Sequence, residues 1–260
     1  MSPARARAAG LVLMALVIGG GAAAQTRPGV VALEAAPVGA AYLPDGFLGT
    51  CCQGVDGLAA QVNELLRGSD STLRLRLVPA VINGQRLDWY DPMAFLTPHA
   101  AQPIALARRP FDIAVLDECL ACAEPTRQLR RQAEAARRSG AEPVILMPWA
   151  ASEDATARIA EAVTRGANAV RAYVVPAGLA FARARAQRPA TELLAEDGRT
   201  PTQAGGYLAA AIVYVALYGR SPEGNAWHGG LDEETAGFLQ RVAWETAWDY
   251  YAASAPPPGS

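Results

Sequence analysis

The sequence predicts an α/β fold, a three-layer α/β/α sandwich in which helices cover both faces of a parallel β-sheet. The chain has 260 residues, of which 51% are apolar and 18% charged, and a chain of this size and composition can bury a core. Three short apolar runs are typical of buried parallel strands, and helical segments separate them. Because parallel strands need right-handed crossover connections, this order predicts helices on both faces of the sheet.

The predicted strands differ in how they are buried. Leucine and arginine alternate over residues 73–78, which is typical of an edge or half-buried strand. The three near-continuous apolar runs lie at residues 112–116, 143–147 and 172–175. The first strand has two candidates, a segment around Pro44 and Gly46 and the apolar run Val30–Leu33. In open sheets of this kind ligands bind beyond the carboxyl ends of the strands, so we expect the functional site in those loops.

Five helices are predicted around these strands. Acidic residues in the first turn and an apolar period of 3.6 support the helix that starts at Glu153. The segment after Thr202 is apolar nearly all round, which predicts a buried helix that ends at Gly219. The predicted helices occupy residues 58–66, 124–138, 153–167, 203–218 and 232–251.

The start of the chain is expected to be a secretory signal peptide. Arg5 and Arg7 precede an apolar run that ends in three alanines, the layout of a signal with an A-x-A cleavage site near Ala24. The apolar run is too short to form a membrane-spanning helix, and no second apolar run of this kind follows. The mature protein is therefore expected to be periplasmic or secreted. The predicted division of the chain is a signal peptide at residues 1–24, one domain at 25–252 and a disordered tail at 253–260.

The ionisable residues exclude several classes of function. All 23 basic residues are arginine, so no lysine can act as a nucleophile, form a Schiff base or hold a phosphate in a P-loop. Without Arg5 and Arg7 the chain carries 21 basic against 25 acidic residues. No net positive charge then favours nucleic acid or an anionic membrane as a partner.

One segment resembles a known family. Residues 195–211 read Ala-Glu-Asp-Gly-Arg-Thr-Pro-Thr-Gln-Ala-Gly-Gly-Tyr-Leu-Ala-Ala-Ala. They resemble the C-terminal block of SGNH (GDSL-type) hydrolases, D-G-x-H-P-S-x-x-G-x-Y-L-A, which carries the catalytic Asp and His. Residues 111–118, 143–150 and 175–181 resemble further blocks of that family. The resemblance implies the flavodoxin-like sheet of SGNH hydrolases and the hydrolysis of acyl or acetyl esters.

The resemblance also implies the positions of the catalytic residues, two of which are replaced. Asp197 matches the family's aspartate, but Thr200 occupies the histidine position, and a threonine hydroxyl cannot accept a proton near neutral pH. No serine occurs between Ser2 and Ser69, the region in which the family has its nucleophile. The best alignment places Cys51 at the serine position.

The same alignment places five further residues around the expected pocket. Gly49 lies beside the nucleophile position, and Gly84 would offer a backbone N–H as an oxyanion donor. Asp117 and Glu118 end a strand and form a candidate acid/base pair, and Trp149 follows the next strand. The alternatives are a plain turn glycine at 84, carboxylates that only cap a turn, and a tryptophan that packs in the core.

Neither histidine is expected to replace the missing base. His228 lies beyond the predicted buried helix of about 16 residues, which spans roughly 24 Å at 1.5 Å per residue. It is therefore predicted to be far from Asp197. His99 lies in a proline-rich stretch, and its spacing matches nothing in the family. Both are expected to be surface or capping residues.

The four cysteines form two close pairs, Cys51-Cys52 and Cys119-x-x-Cys122. The resemblance implies that both pairs lie in neighbouring loops at the vacated nucleophile position. Three states are open. Disulfides between the pairs would stabilise the protein by about 4 kcal/mol and suit an oxidising compartment; a thiolate-bound metal would be the one cofactor to expect; a reactive thiol is the third.

The sequence thus predicts an exported, SGNH-hydrolase-like protein that is catalytically degenerate. We expect it to retain a pocket for a small ester, acyl or carbohydrate ligand. One alternative is an ester or O-acetyl hydrolase that uses Cys51 as a non-standard nucleophile. A second alternative is a thiolate metal-binding or redox protein centred on the cysteines.

Overall fold

The structure is a computed structural model that describes residues 40–43, 57–69, 76–79, 113–117, 125–138 and 140–254. The strands in these residues are β1 (Ala40–Leu43), β2 (Arg76–Pro79), β3 (Ile113–Asp117), β4 (Glu142–Leu146) and β5 (Tyr173–Val175). The helices are α1 (Gly57–Ser69), α2 (Pro125–Arg138), α3 (Glu153–Val170), α4 (Ala177–Gln187), α5 (Gln203–Tyr218) and α6 (Glu233–Ser254).

The five strands form one parallel sheet in the order β2-β1-β3-β4-β5. Ala41 of β1 pairs with Leu77 on one side and with Ile113 on the other. The strand order therefore reverses between β1 and β3, as in flavodoxin-like sheets, and the carboxyl ends of the strands near such a reversal form the usual ligand crevice. Among the described strands β2 lies at the edge of the sheet, in agreement with the prediction made from its alternating leucines and arginines.

Helices cover both faces of the sheet, which confirms the predicted three layers. Ile113 and Val115 of β3 belong to a core cluster with α1, α4, α5 and α6. Ala114 and Leu116 belong to a second cluster with α2 and α3. Successive side chains of a strand point to opposite faces, so β3 is buried on both.

Helix α5 is the centre of the larger cluster. Every residue from Ala204 to Leu217 is buried, as the nearly uniform apolar sequence predicts. The Thr202 hydroxyl caps the start of the helix by accepting from Gly205 N at 3.2 Å. Gly219, with φ of +62°, ends it in the left-handed conformation that glycine favours.

The three buried strands begin and end within one residue of their predicted positions. Helix α3 continues to Val170, three residues beyond its predicted end, and stops at Arg171 in a left-handed cap. Helix α6 continues to Ser254, two residues into the predicted tail. Helix ends depend on capping contacts with the rest of the fold, which an apolar period does not report.

Two elements differ from the sequence prediction. Strand β1 lies between the two segments that the sequence offered, and it ends immediately before Pro44, which has no N–H to continue the ladder. Helix α4 was not predicted, because its apolar residues do not fall on one face of the helix. Its buried residues are Ala177, Gly178, Ala180, Phe181 and Ala184.

No helix in the described residues combines the length and apolar character that a membrane span needs.

Candidate functional site

Asp197 lies in a closed loop between α4 and α5, residues 194–201, which we call the aspartate loop. Its first and last residues form an isolated antiparallel bridge. Inside the bridge, Ala195 N donates to Thr200 O at 2.8 Å, and Gly198 N donates to Ala195 O at 2.9 Å. Gly198 has a φ of +65°, a conformation that glycine adopts without steric cost. The chain thus turns sharply at the residue after Asp197.

The Asp197 carboxylate accepts three hydrogen bonds from within this loop. Arg199 N and Thr200 N both donate to Oδ1 at 2.8 Å. The Thr200 hydroxyl donates to Oδ2 at 2.5 Å. The residue at the expected histidine position therefore contacts the aspartate, as the resemblance implied, but through a hydroxyl.

These hydrogen bonds hold the pKa of the Asp197 carboxyl below its ordinary value of 3.8. The side-chain hydrogen bond from Thr200 has the largest effect, and the backbone N–H groups of Arg199 and Thr200 follow. Each bond favours the ionised carboxylate over the neutral acid. Asp197 is exposed and is an anion at neutral pH.

Thr200→Val is expected to raise the pKa of Asp197 toward its ordinary value, because the variant loses the largest of these contributions. A lowered folded-state pKa stabilises the fold above the ordinary pKa, and this stabilisation is lost as the pH falls through the folded-state value. In Thr200→Val this stabilisation should therefore be lost at a higher pH than in the wild type. NMR titration of the side-chain carboxyl carbons measures both pKa values.

Asp232 is an internal control for that titration. Its pKa is lowered mainly by hydrogen bonds from Thr235, so it should titrate identically in the wild type and in Thr200→Val. If Asp197 also titrates identically in the two proteins, the assigned role of the threonine hydroxyl is wrong.

Trp149 joins the aspartate loop to the end of β4. Its indole Nε1 donates to Arg199 O at 2.8 Å. Its ring stacks on Phe181 of α4, with the two ring centroids 4.6 Å apart and the planes 10° from parallel. The structure thus brings Trp149, Asp197 and Thr200 together at the carboxyl edge of the sheet. Trp149 is half-buried, with its polar edge at the loop and its face against the core.

The start of α5 holds the other end of the aspartate loop. Thr202 N donates to Leu193 O at 3.0 Å, and the Thr202 hydroxyl donates to Glu192 O at 2.6 Å. Gly205 approaches Leu193 so closely that a Cβ atom at this position would lie 2.0 Å from Leu193 O. The family-like glycine two residues after Gln203 is therefore required for close backbone packing.

The connection between α5 and α6, residues 219–232, folds back along α5. Gln203 Nε2 donates to Gly229 O at 2.7 Å, and Tyr207 OH donates to Trp227 O at 3.0 Å. Both donors lie in the first two turns of α5. The connection leaves the end of α5 and returns to its start, which is the end next to the aspartate loop.

This return removes the basis on which His228 was predicted to lie far from Asp197. The prediction relied on the length of α5 to separate His228 from Asp197, but both neighbours of His228 contact the start of that helix. The hydrogen bonds that Asp197 accepts come from Arg199 and Thr200, and none comes from the imidazole. In the described part of the site the carboxylate orients a hydroxyl and two amides.

A buried polar network fixes the returning connection. Asn225 Nδ2 donates to Leu65 O of α1 at 2.7 Å. Gln240 of α6 accepts from Gly224 N at 3.0 Å and donates to Tyr207 OH at 2.8 Å. Burial raises the pKa of Tyr207 to about 12, so its phenol is neutral at physiological pH. Nothing in the sequence pattern identifies these polar residues as buried partners, because their contacts join four separate segments.

Several predicted site residues lie outside the described part of the structure. They are Gly49, Cys51, Cys52, Gly84, Glu118, Cys119 and Cys122. Asp117 is the last residue of β3, and its side chain is likewise outside the description. Strand β1 ends at Leu43 and α1 begins at Gly57, and the predicted position of Cys51 in a loop after the first strand stays a prediction. Among the residues that the structure describes, no group of three or more His, Cys, Asp or Glu could hold a metal ion.

No protein-family model matches this sequence, and no curated protein is detectably similar to it. Solved structures are similar in fold. A DUF4886 family protein from Bacteroides uniformis ATCC 8492 is 16% identical, with a TM-score of 0.62 over 80% of this chain and 93% of that one.

Two enzymes share the same architecture. LAE5, an alpha/beta hydrolase enzyme from the metagenome of Lake Arreo, Spain, is 20% identical, with a TM-score of 0.54 over 71% of this chain and 97% of that one. A variant of Axe2, an acetyl xylan esterase from Geobacillus stearothermophilus, is 14% identical, with a TM-score of 0.50 over 68% of this chain and 91% of that one. The chain has an α/β fold of the SGNH-hydrolase type.

Proposed function

We propose that this protein is an exported, catalytically degenerate protein of the SGNH-hydrolase type, which binds a small ester, acyl or carbohydrate ligand without hydrolysing it. The observation that carries the proposal is the hydrogen bond from the Thr200 hydroxyl to Asp197 Oδ2. In a Ser-His-Asp hydrolase the corresponding aspartate orients an imidazole, which then takes the proton of the nucleophile. Here the aspartate orients a hydroxyl.

A threonine hydroxyl cannot act as that base. Its oxygen would have to bind a proton at neutral pH, and the efficiency of a general base requires a pKa near the working pH. The Thr200 hydroxyl hydrogen is, moreover, already donated to the Asp197 carboxylate. The proton that an attacking nucleophile must lose has no acceptor at this position. On this proposal the hydrogen bonds of Asp197 stabilise the loop, and the proton-transfer step is absent.

The ligand class is supported by the surroundings of the aspartate loop. The exposed Asp197 anion and the half-buried Trp149 offer a hydrogen-bond acceptor and an apolar ring at the carboxyl edge of the sheet. Pockets with a few polar groups among apolar side chains suit small neutral molecules. Two structural neighbours are described as a hydrolase and an acetyl xylan esterase. A retained fold with a lost base therefore favours binding of an ester, acyl group or acylated sugar.

The decisive experiment compares turnover with binding in one purified sample. With 4-nitrophenyl acetate we expect the wild type and Cys51→Ala to release nitrophenol at the same rate as buffer. With triacetin as the binding probe we expect amide chemical shift changes at Asp197–Thr200 and no acetate release. Asp232 serves as the control signal, since it lies outside the aspartate loop.

Two results would overturn the proposal. Turnover by the wild type that disappears in Cys51→Ala would establish a hydrolase with a cysteine nucleophile. If the amide shifts of the aspartate loop stay unchanged at a high triacetin concentration, the proposed ligand pocket is not there.

A further inference from the structure

A second candidate binding surface lies on the outer face of α6, away from the aspartate loop. It is a cleft of about 380 Å³, which we call the α6 cleft, lined by Arg183, Trp244, Glu245, Trp248 and Asp249. Four of these residues come from α6, at positions i, i+1, i+4 and i+5. That spacing places them on one side of the helix as two stacked pairs. Arg183 comes from α4, which packs against α6.

The tryptophans give the cleft an apolar surface. Trp248 is 37% exposed, and it is the one large apolar side chain among the described residues that is exposed. Trp244 is buried beneath, with its ring centroid 6.0 Å from that of Trp248. Of the two tryptophans of α6, Trp244 is buried and only Trp248 presents its indole at the surface beside the cleft. Exposed aromatic rings that adjoin a cavity are typical of binding sites.

The charged side chains of the cleft have both signs. The Arg183 guanidinium forms an ion pair with Asp249, and the side chain of Asp249 is nevertheless 61% exposed. Glu245 adds a second carboxylate. The other guanidinium nitrogen of Arg183, Nη1, is buried and has no hydrogen-bond partner. Buried donors without partners are rare in folded proteins, so a ligand hydroxyl that draws this guanidinium outward gains a hydrogen bond that the free protein lacks.

These features together select one class of ligand. Two carboxylates against one guanidinium disfavour an anion, and the charge of Asp249 is already compensated by its ion pair with Arg183. A purely apolar ligand would take water away from the exposed Asp249 carboxylate and from Glu245 without replacing the hydrogen bonds lost. A neutral sugar has hydroxyls that can donate to the carboxylates and accept from the arginine, and its C–H face packs on an indole. We propose that the α6 cleft binds a neutral sugar residue.

This proposal is independent of the function proposed for the aspartate loop. The two sites share α4, where Phe181 supports Trp149 on one side and Arg183 lines the α6 cleft on the other. Neither the lost base nor the ligand of the aspartate loop enters the argument for the cleft.

The test is isothermal titration calorimetry of the purified full chain with four neutral oligosaccharides: xylohexaose, cellohexaose, maltohexaose and hexa-N-acetylchitohexaose. We expect saturable binding of at least one of them, with a blue shift of tryptophan emission as Trp248 becomes covered. Trp248→Ala should weaken that binding about tenfold or more. Arg241→Ala is the matched control, because Arg241 is exposed on the same helix and does not line the cleft; it should bind as the wild type does.

A second variant keeps the test valid if Trp248→Ala fails to fold, which circular dichroism would reveal. Glu245→Gln preserves the size of the side chain and removes its charge, and it should weaken sugar binding severalfold. The proposal is wrong if none of the four oligosaccharides binds, if both variants bind as tightly as the wild type, or if an oligogalacturonate, which is anionic, binds more tightly than every neutral sugar.

Discussion

Gly205→Ala is expected to lower the free energy of unfolding by roughly 2–4 kcal/mol. A Cβ atom at residue 205 would lie 2.0 Å from Leu193 O and 3.0 Å from the Pro201 side chain. The nearer atom belongs to the backbone, so the clash can be relieved only by moving the chain. Leu193 O also accepts the hydrogen bond from Thr202 N, and its displacement would loosen the base of the aspartate loop. Urea unfolding measures the loss.

Gly237→Ala is the matched control. Gly237 lies inside α6, and a Cβ atom at this position would meet nothing within 4 Å. Alanine favours a helix over glycine, so this variant should gain about 0.5–1 kcal/mol. If Gly205→Ala stays within about 0.5 kcal/mol of the wild type, a typical surface effect, the close approach of α5 to Leu193 is not a constraint on this fold.

Phe181→Ala is expected to cost roughly 3–5 kcal/mol of unfolding free energy, the usual range for a fully buried aromatic residue. Phe181 has no exposed surface, and its ring stacks on that of Trp149. The cavity would remove the support under the indole that donates to Arg199 O. We therefore expect a red shift of Trp149 emission together with the loss of stability.

Phe181→Leu separates packing volume from ring stacking. Leucine fills much of the same space, so this variant should lose only about 1–1.5 kcal/mol. The smaller loss should be accompanied by a smaller change in Trp149 emission. Equal losses of unfolding free energy in the alanine and leucine variants would show that the cavity is not the cause. Unchanged Trp149 emission in both variants would show that Phe181 does not support the indole at the site.

The buried strands could be predicted from the sequence because both of their faces are covered. A strand buried on two faces has a continuous apolar run instead of alternating apolar and polar residues. Strands β3, β4 and β5 each coincide with such a run. Helix α5 is predictable for the same reason, since it is buried all round. Helix α4 is not, because apolar residues also lie outside its buried face and its arginines are only half-buried, so the sequence shows no single apolar stripe.

Part of the candidate site was also within reach of the sequence. The family-like segment placed Asp197 and Thr200 in one loop, and the structure joins them by a hydrogen bond. Trp149 was expected in the same pocket and lies against that loop. The support from Phe181 was not predicted as part of the site, because the aromatic pair joins the end of β4 to a helix 32 residues later.

The sequence by itself determined the α/β class, the buried strands and the presence of a hydroxyl rather than an imidazole at residue 200, because each of these depends on the type of residue at a position or on a local apolar period. Only the tertiary structure decided the position of His228. The length of α5 suggested separation, yet residues 219–232 return along the helix and are held there by Gln203, Tyr207 and the buried Asn225. Such a return depends on hydrogen bonds between residues far apart in the chain, which become favourable only when packing has excluded water from them.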